Sequence, residues 1–215
     1  MSVITISASY GAGGAVIGPD LGRRLGAPFV DRAIPAEVAE RLSVPLEQAL
    51  AHDESLGSGL GRVLASFAVL TDLYAPQRRL ETLGEADYRR ETERVLLKAA
   101  SSGHAIILGR AGALVLNEHP GTLHVRLDGP AERRVAQAIR LSQIDEPEAR
   151  RGLHQTDRAR EAYVRHFYGV NANDPALYHL VIDSTVIGLD TCAGLIADAA
   201  EAITAGSPPG GEGLP

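Results

Sequence analysis

The chain has 215 residues, of which 45% are hydrophobic and 22% charged, with one cysteine and a formal net charge of −6. That composition excludes a wholly disordered or collagen-like chain, and Cys192 alone excludes a disulfide framework or a cysteine-rich zinc site within one chain. Apolar runs break well before the ~18 residues of a spanning helix, and the acidic balance argues against polymeric nucleic acid as a partner.

The length suits one domain, whose folding buries about 70% of the extended surface. Met1 to Ile6 shows no basic stretch followed by an apolar one, so no signal peptide is read and a cytoplasmic protein is the default. Twenty of the 21 basic residues are arginine and Lys98 is the lone lysine. Arginine offers planar, fixed donors to phosphate oxygens, although a GC-rich genome gives the same bias.

In chain order, Val3–Ser7 is a β-branched run that reads as a buried strand. The turn Ser7-Ala8-Ser9-Tyr10-Gly11-Ala12-Gly13-Gly14 follows, then a helix over about 15–25 with Val16, Ile17, Leu21 and Leu25 at helical spacing. Pro19 is expected within about its first turn and Gly26 just past its end. Ala27–Val30 reads as a second strand. Helices are predicted near 34–42, 45–52, 62–74 and 85–102, with a mobile connection over 54–61. The apolar face of 60–74 (Leu60, Val63, Leu64, Phe67, Leu70) reads as core or as a contact between copies in a homo-oligomer. Strands follow at 104–108, 122–127 and 179–182, with helices at 110–116, 131–143, 146–168 and 190–204. Residues 206–215 read as a disordered tail. Five short strands separated by helices predict an α/β fold with a parallel sheet covered on both faces; a mostly helical chain with a small sheet is the alternative.

The strand–glycine turn–helix at Gly11–Gly14 is the most informative local feature. Unpaired amides at a helix start hold phosphate. Three readings compete: a kinase-type phosphate loop, a dinucleotide turn with Asp31 as ribose ligand, or a tight turn with no ligand. G-x-G-x-x-G fails because position 16 is Val, and G-x-x-x-x-G-K-[ST] fails because Gly14 stands where lysine belongs. No H-E-x-x-H or G-x-S-x-G occurs, which disfavours zinc and serine hydrolases. His104, His124 and His179 lie in apolar strand surroundings without metal-ligand spacing, and no metal site is read. Arg126, inside a strand, reads as buried and paired, and Tyr10 as packing beneath the turn.

Taken together, Ile4-Thr5-Ile6-Ser7, Tyr10-Gly11-Ala12-Gly13-Gly14, Ile17-Gly18, Pro28-Phe29-Val30-Asp31-Arg32, Ile107-Leu108-Gly109-Arg110, His124-Val125-Arg126-Leu127, Asp157-Arg158-Ala159-Arg160 with Tyr163, and Tyr178-His179-Leu180-Val181-Ile182 resemble the cytidylate kinase-like family. The resemblance runs from Val3 to about Ala197. It implies a three-layer P-loop fold over 1–205 with a five-stranded parallel sheet, an acceptor-side insert at about 33–102 and a helical lid at about 145–170. It implies phosphoryl transfer from ATP, with Mg²⁺, to a nucleoside monophosphate, CMP or dCMP.

Carried onto this chain, Ser9, Gly11, Ala12, Gly13, Gly14 and Ala15 hold the ATP phosphates. Asp31, Arg32 and Arg110 hold the acceptor. Arg158 and Arg160 neutralise the moving phosphoryl group, and Asp157 orients an arginine or approaches a metal. On a helix, 157 and 160 share a face and 158 points elsewhere; a solvated helix laced with ion pairs is the plainer reading. The chain departs from relatives in having Ser7-Ala8-Ser9 for Ser-Arg-Gln and Ala15-Val16 for Arg-Glu. The loop thus has no long cationic side chain, which motivates an alternative function as a nucleotide- or phosphate-binding module without catalysis.

Overall fold

The computed structural model describes residues 2–31, 85–109 and 111–206. The helices expected near 34–42, 45–52 and 62–74, the connection 54–61, Arg32, Arg110 and residues 207–215 lie outside the described residues. The elements in order are β1 (Val3–Ala8), α1 (Gly14–Leu25), β2 (Phe29–Asp31), α2 (Glu85–Ala100), β3 (Ala105–Leu108), α3 (Gly112–Val115), β4 (Thr122–Asp128), α4 (Ala131–Ser142), α5 (Glu146–Tyr168), a 3₁₀ turn (Pro175–Leu177), β5 (Leu180–Asp183) and α6 (Leu189–Gly206).

The five strands form one parallel sheet in the order β2-β3-β1-β4-β5, as the sequence pattern predicts. β1 is central and buried along its whole length, as expected of a parallel strand covered on both faces. Ile4, Ile6 and Ala8 face α1 and α6, where Ile17, Leu21, Cys192, Ala193 and Ile196 complete the larger core. Val3 belongs to the opposite layer, with Ala105, Ile107, Leu116 and the α2 residues Leu96 and Ala100. α4 and α5 close over one end of the sheet through Val135, Ala138, Ala149 and Leu153.

Local chemistry sets the helix ends. α1 begins directly after Gly13, whose φ of 76° is left-handed, and ends at Gly26, φ 64°. Pro19 is therefore the sixth residue of α1, not a first-turn residue as expected from sequence. Its missing N–H leaves the Ala15 carbonyl without a helical donor, and Ala15 is exposed, where water reaches it. α5 runs over the residues expected. The Asp145 carboxylate accepts from the Glu148 amide at 2.8 Å, and left-handed Gly169 ends the helix.

The sheet face opposite α1 carries polar side chains. Thr5 lies beside His124, and the Thr5 hydroxyl and Nδ1 of that buried ring share a hydrogen bond of 2.7 Å. The ring also hydrogen-bonds to the Leu116 backbone. The ring stacks on His179 at 4.9 Å between centroids, and His179 Nδ1 accepts from the His124 amide. Burial, then the neighbouring His179, pushes His124 down to about 4.

The folded pKa lies below the unfolded one, so as pH falls the unfolded chain takes the proton first. This stabilisation is full above pH ~6.5 and is lost progressively towards pH 4, a change of about 3 kcal/mol. Urea unfolding at pH 7 and pH 4.5 is expected to show that loss, and His124→Gln is expected to remove most of the difference.

Candidate functional site

The loop between β1 and α1 is held by side chains from four other elements. Arg160 of α5 donates to the Ala8 carbonyl at 2.7 Å. Arg134 of α4 donates to the Tyr10 carbonyl at 2.9 Å. Gln137, one turn further along α4, donates to the Gly11 carbonyl at 3.0 Å. The Ser184 hydroxyl, just past β5, donates to the Ala12 carbonyl at 2.7 Å. The Ser9 hydroxyl accepts from Arg126 of β4 at 3.3 Å, and the Ala12 amide donates to the Ser9 carbonyl at 3.0 Å.

These contacts orient the peptide planes. A trans peptide places its N–H opposite its C=O. Fixing the carbonyls of Tyr10 and Ala12 towards the scaffold therefore turns the amides of Gly11 and Gly13 away from it. The amides of Gly14 and Ala15 are the first in α1, where no carbonyl precedes them in the helix. Gly11, Gly13, Gly14 and Ala15 thus present an arc of backbone donors at the carboxyl end of the central strand, where ligands bind in open α/β sheets.

The glycines are required by the protein itself. Gly11 and Gly13 have φ of 75° and 76°, and a Cβ on Gly11 stands 2.2 Å from the Arg134 carbonyl oxygen. A Cβ on Gly14 stands 2.6 Å from that of Ala8 and 3.0 Å from Leu108 Cδ1. The position where a kinase loop carries lysine therefore has no room for any side chain.

The arginines beneath the loop are all paired. Arg126 reaches Asp128 at 2.7 Å, Asn173 at 2.8 Å and the Ala172 carbonyl at 3.1 Å. Arg134 joins Asp157 at 2.6 Å and stands 3.6 Å from Asp128. Asp157 also accepts from the Tyr10 amide at 2.9 Å. Arg160 lies in the field of Asp157 and Asp31, which opposes the lowering of its pKa by burial. Burial pushes the Asp128 carboxyl up, yet hydrogen bonds from Arg126 and Ser9 outweigh it and hold the group below its ordinary value. Charges alternate beneath the loop as Arg126, Asp128, Arg134, Asp157, Arg160 and Asp31.

Asp157 and Arg160 are thus inward-facing anchors of the loop, and Arg158 is exposed on the other side of α5. Asp31, at the carboxyl end of β2, is close enough to Arg160 to interact with its charge. Arg126 is buried and paired, and Tyr10 packs against α4 and α5. Arg134 and Gln137 did not stand out in the sequence. Their signal is a spacing of three, beside the apolar pair Val135 and Ala138, which turns both towards the loop.

Comparison with known proteins identifies the family and the fold. The model of the cytidylate kinase-like family matches residues 3–186. The chain belongs to that family. It is 32% identical over 103 residues to a cytidylate kinase from Methanopyrus kandleri, covering 44% of this chain and 53% of that one. It is 31% identical over 109 residues to a uronate isomerase from Corynebacterium glutamicum, covering 51% of this chain and 21% of that protein. The chain therefore spans about half of the first and about a fifth of the second. A solved structure of an uncharacterized protein from Eubacterium ventriosum ATCC 27560 shares the fold, with TM-score 0.63 at 16% identity over 94% of this chain and 99% of that one. The sheet and its flanking helices are those of a P-loop-kinase-like three-layer fold.

Two substitutions test the loop's anchoring by chemical denaturation. Asp157→Ala strips Arg134 of its buried partner and is expected to cost about 3 kcal/mol. Gly14→Lys is expected to destabilise by about 1–3 kcal/mol through overpacking against Ala8 and Leu108; unchanged stability would mean that the loop has more room than its contacts imply.

Proposed function

We propose that the chain is a nucleotide-dependent phosphotransferase of the cytidylate kinase type. The amide arc of Gly11, Gly13, Gly14 and Ala15 holds the terminal phosphates of ATP. The observation that carries this reading is the capture of four loop carbonyls, those of Ala8, Tyr10, Gly11 and Ala12, by scaffold donors. It fixes the donors before any ligand arrives, which is the preorganisation that phosphoryl transfer demands. Arg158 is exposed on the side of α5 away from Asp157 and Arg160, so the role in neutralising the phosphates falls to Arg160 and to the acceptor-side arginines. Arg160 stands between the donor loop and Asp31, and Arg32 and Arg110 grip the acceptor phosphate. CMP and dCMP are the acceptors that family membership favours.

Mg²⁺ in such a reaction is held mainly by the substrate phosphates and water, with one or two protein ligands. No group of three metal-ligating side chains forms among the described residues. Ser9 Oγ accepts from Arg126, and Ala15 offers no hydroxyl after Gly14.

A second reading, binding without turnover, is favoured by one feature. Arg126, Arg134 and Arg160 are all committed to carboxylates or carbonyls of the protein, and the loop contributes no cation of its own.

Incubation with ATP, magnesium and each nucleoside monophosphate separates the two. Diphosphate is expected from CMP or dCMP. Measurable ATP binding without diphosphate from any acceptor carries the second reading instead. Arg110→Ala is expected to raise the acceptor KM about tenfold or more while leaving the ATP KM in place, as for loss of one charge-assisted hydrogen bond. Arg160→Ala releases the Ala8 carbonyl and is expected to lower kcat by about 100-fold, the scale lost when one preorganised donor is displaced. Equal, small effects on both constants would make these residues bystanders.

A further inference from the structure

α5 is one unbroken helix of 23 residues, and its middle is fastened to the loop. Tyr10 is the fastener. Its amide donates to Asp157 of α5 and its carbonyl accepts from Arg134, itself paired with Asp157. Its ring lies among Val135, Ala138, Ala149 and Leu153. The ring tip fills a notch at Gly152, where an added Cβ would stand 2.6 Å from both Cζ and the hydroxyl. A helix-interior glycine costs about 1 kcal/mol against alanine, so this position gives up helix stability to seat the ring. A tyrosine gripped at its amide, carbonyl and ring has no slack to take up a displaced tip. A shift at the notch must pass to the loop, because Tyr10 adjoins Gly11, the first amide of the arc.

We infer that the Tyr10–Gly152 contact couples α5 to the phosphate loop, so that this helix moves with the loop rather than as a hinged flap, and its position sets nucleotide affinity. The inference rests on the loop being the nucleotide site, and it makes Tyr10 and Gly152 positioning residues. Linkage then requires the converse, that nucleotide binding order α5.

A size exchange tests it. ATP affinity is measured by calorimetry for the wild type, Gly152→Ala, Tyr10→Leu and the double variant. Amide hydrogen exchange is followed without ligand and with ATP. Gly152→Ala is expected to weaken ATP about tenfold in the wild-type background and to cost less than about threefold once Tyr10→Leu has emptied the notch, the non-additivity of residues in contact. Without ligand, Gly152→Ala is expected to speed exchange at Gly11–Gly14, again only when Tyr10 is present. With ATP, exchange at residues 150–160 is expected to slow.

Unchanged affinity in Gly152→Ala, or the same loss in both backgrounds, would overturn the coupling. So would ligand-free exchange at Gly11–Gly14 that ignores residue 152. If the wild type binds no ATP while the ligand-free exchange follows the expected pattern, the nucleotide reading falls and the mechanical coupling stands. Should Gly152→Ala fail to fold, Tyr10→Leu alone carries the test: it removes the ring while the Asp157 and Arg160 bonds to the loop remain, so ATP is expected to slow exchange at 150–154 less than in the wild type, and equal slowing would overturn the inference.

Discussion

The bond between Asp157 and Arg134 is the interaction on which the site depends. It spans α4 and α5, and both residues use their remaining valences on the same peptide group neighbours: Asp157 takes the Tyr10 amide and Arg134 gives to the Tyr10 carbonyl. A loop residue held at both ends cannot rotate its peptide planes. The amide arc beyond it follows from that fixation together with Gln137 and Ser184. Buried charges of this kind are costly to desolvate and contribute little net stability when paired. Their value here is conformational, in selecting one arrangement of a glycine-rich segment that has many.

This shifts the site's positive charge from the loop to the scaffold. A lysine-bearing loop brings its cation to the phosphates directly. In this chain Gly14 is packed against Ala8 and Leu108, and the nearby arginines are neutralised by Asp128, Asp157 and Asp31 along a continuous chain. Backbone dipoles are therefore the fixed donors, and any free charge in the reaction comes from outside the loop. Such a design separates binding geometry from charge supply, and that separation explains why one loop sequence admits both a transferring and a merely binding protein.

Much of the fold was legible in the sequence because its signals are local. β-branching marks β1, the helical spacing of Val16, Ile17, Leu21 and Leu25 marks α1, and the glycines mark the turn. Pro19 falls one residue deeper in α1 than expected because the left-handed Gly13 starts the helix at Gly14, which no periodicity reveals. The site was legible in part. Asp157 and Arg160 share a face by helical spacing, yet which partner each takes depends on strands and helices far apart in sequence. Arg134 was hidden because Glu132-Arg133-Arg134 reads as a solvated helix start. Only contact with the loop decides which of two adjacent arginines turns inward.

From Gly11 to Ala15, four amides point away from the scaffold, and that of Ala12 is bonded within the loop. Titration of the ¹⁵N-labelled chain with inorganic tripolyphosphate, followed by amide chemical shifts, tests this most directly. The account requires large downfield proton shifts at Gly11, Gly13, Gly14 and Ala15, with Ala12 nearly still because its amide is bonded to the Ser9 carbonyl. Shifts that leave the four amides in place, or that move Ala12 as much as its neighbours, would contradict it.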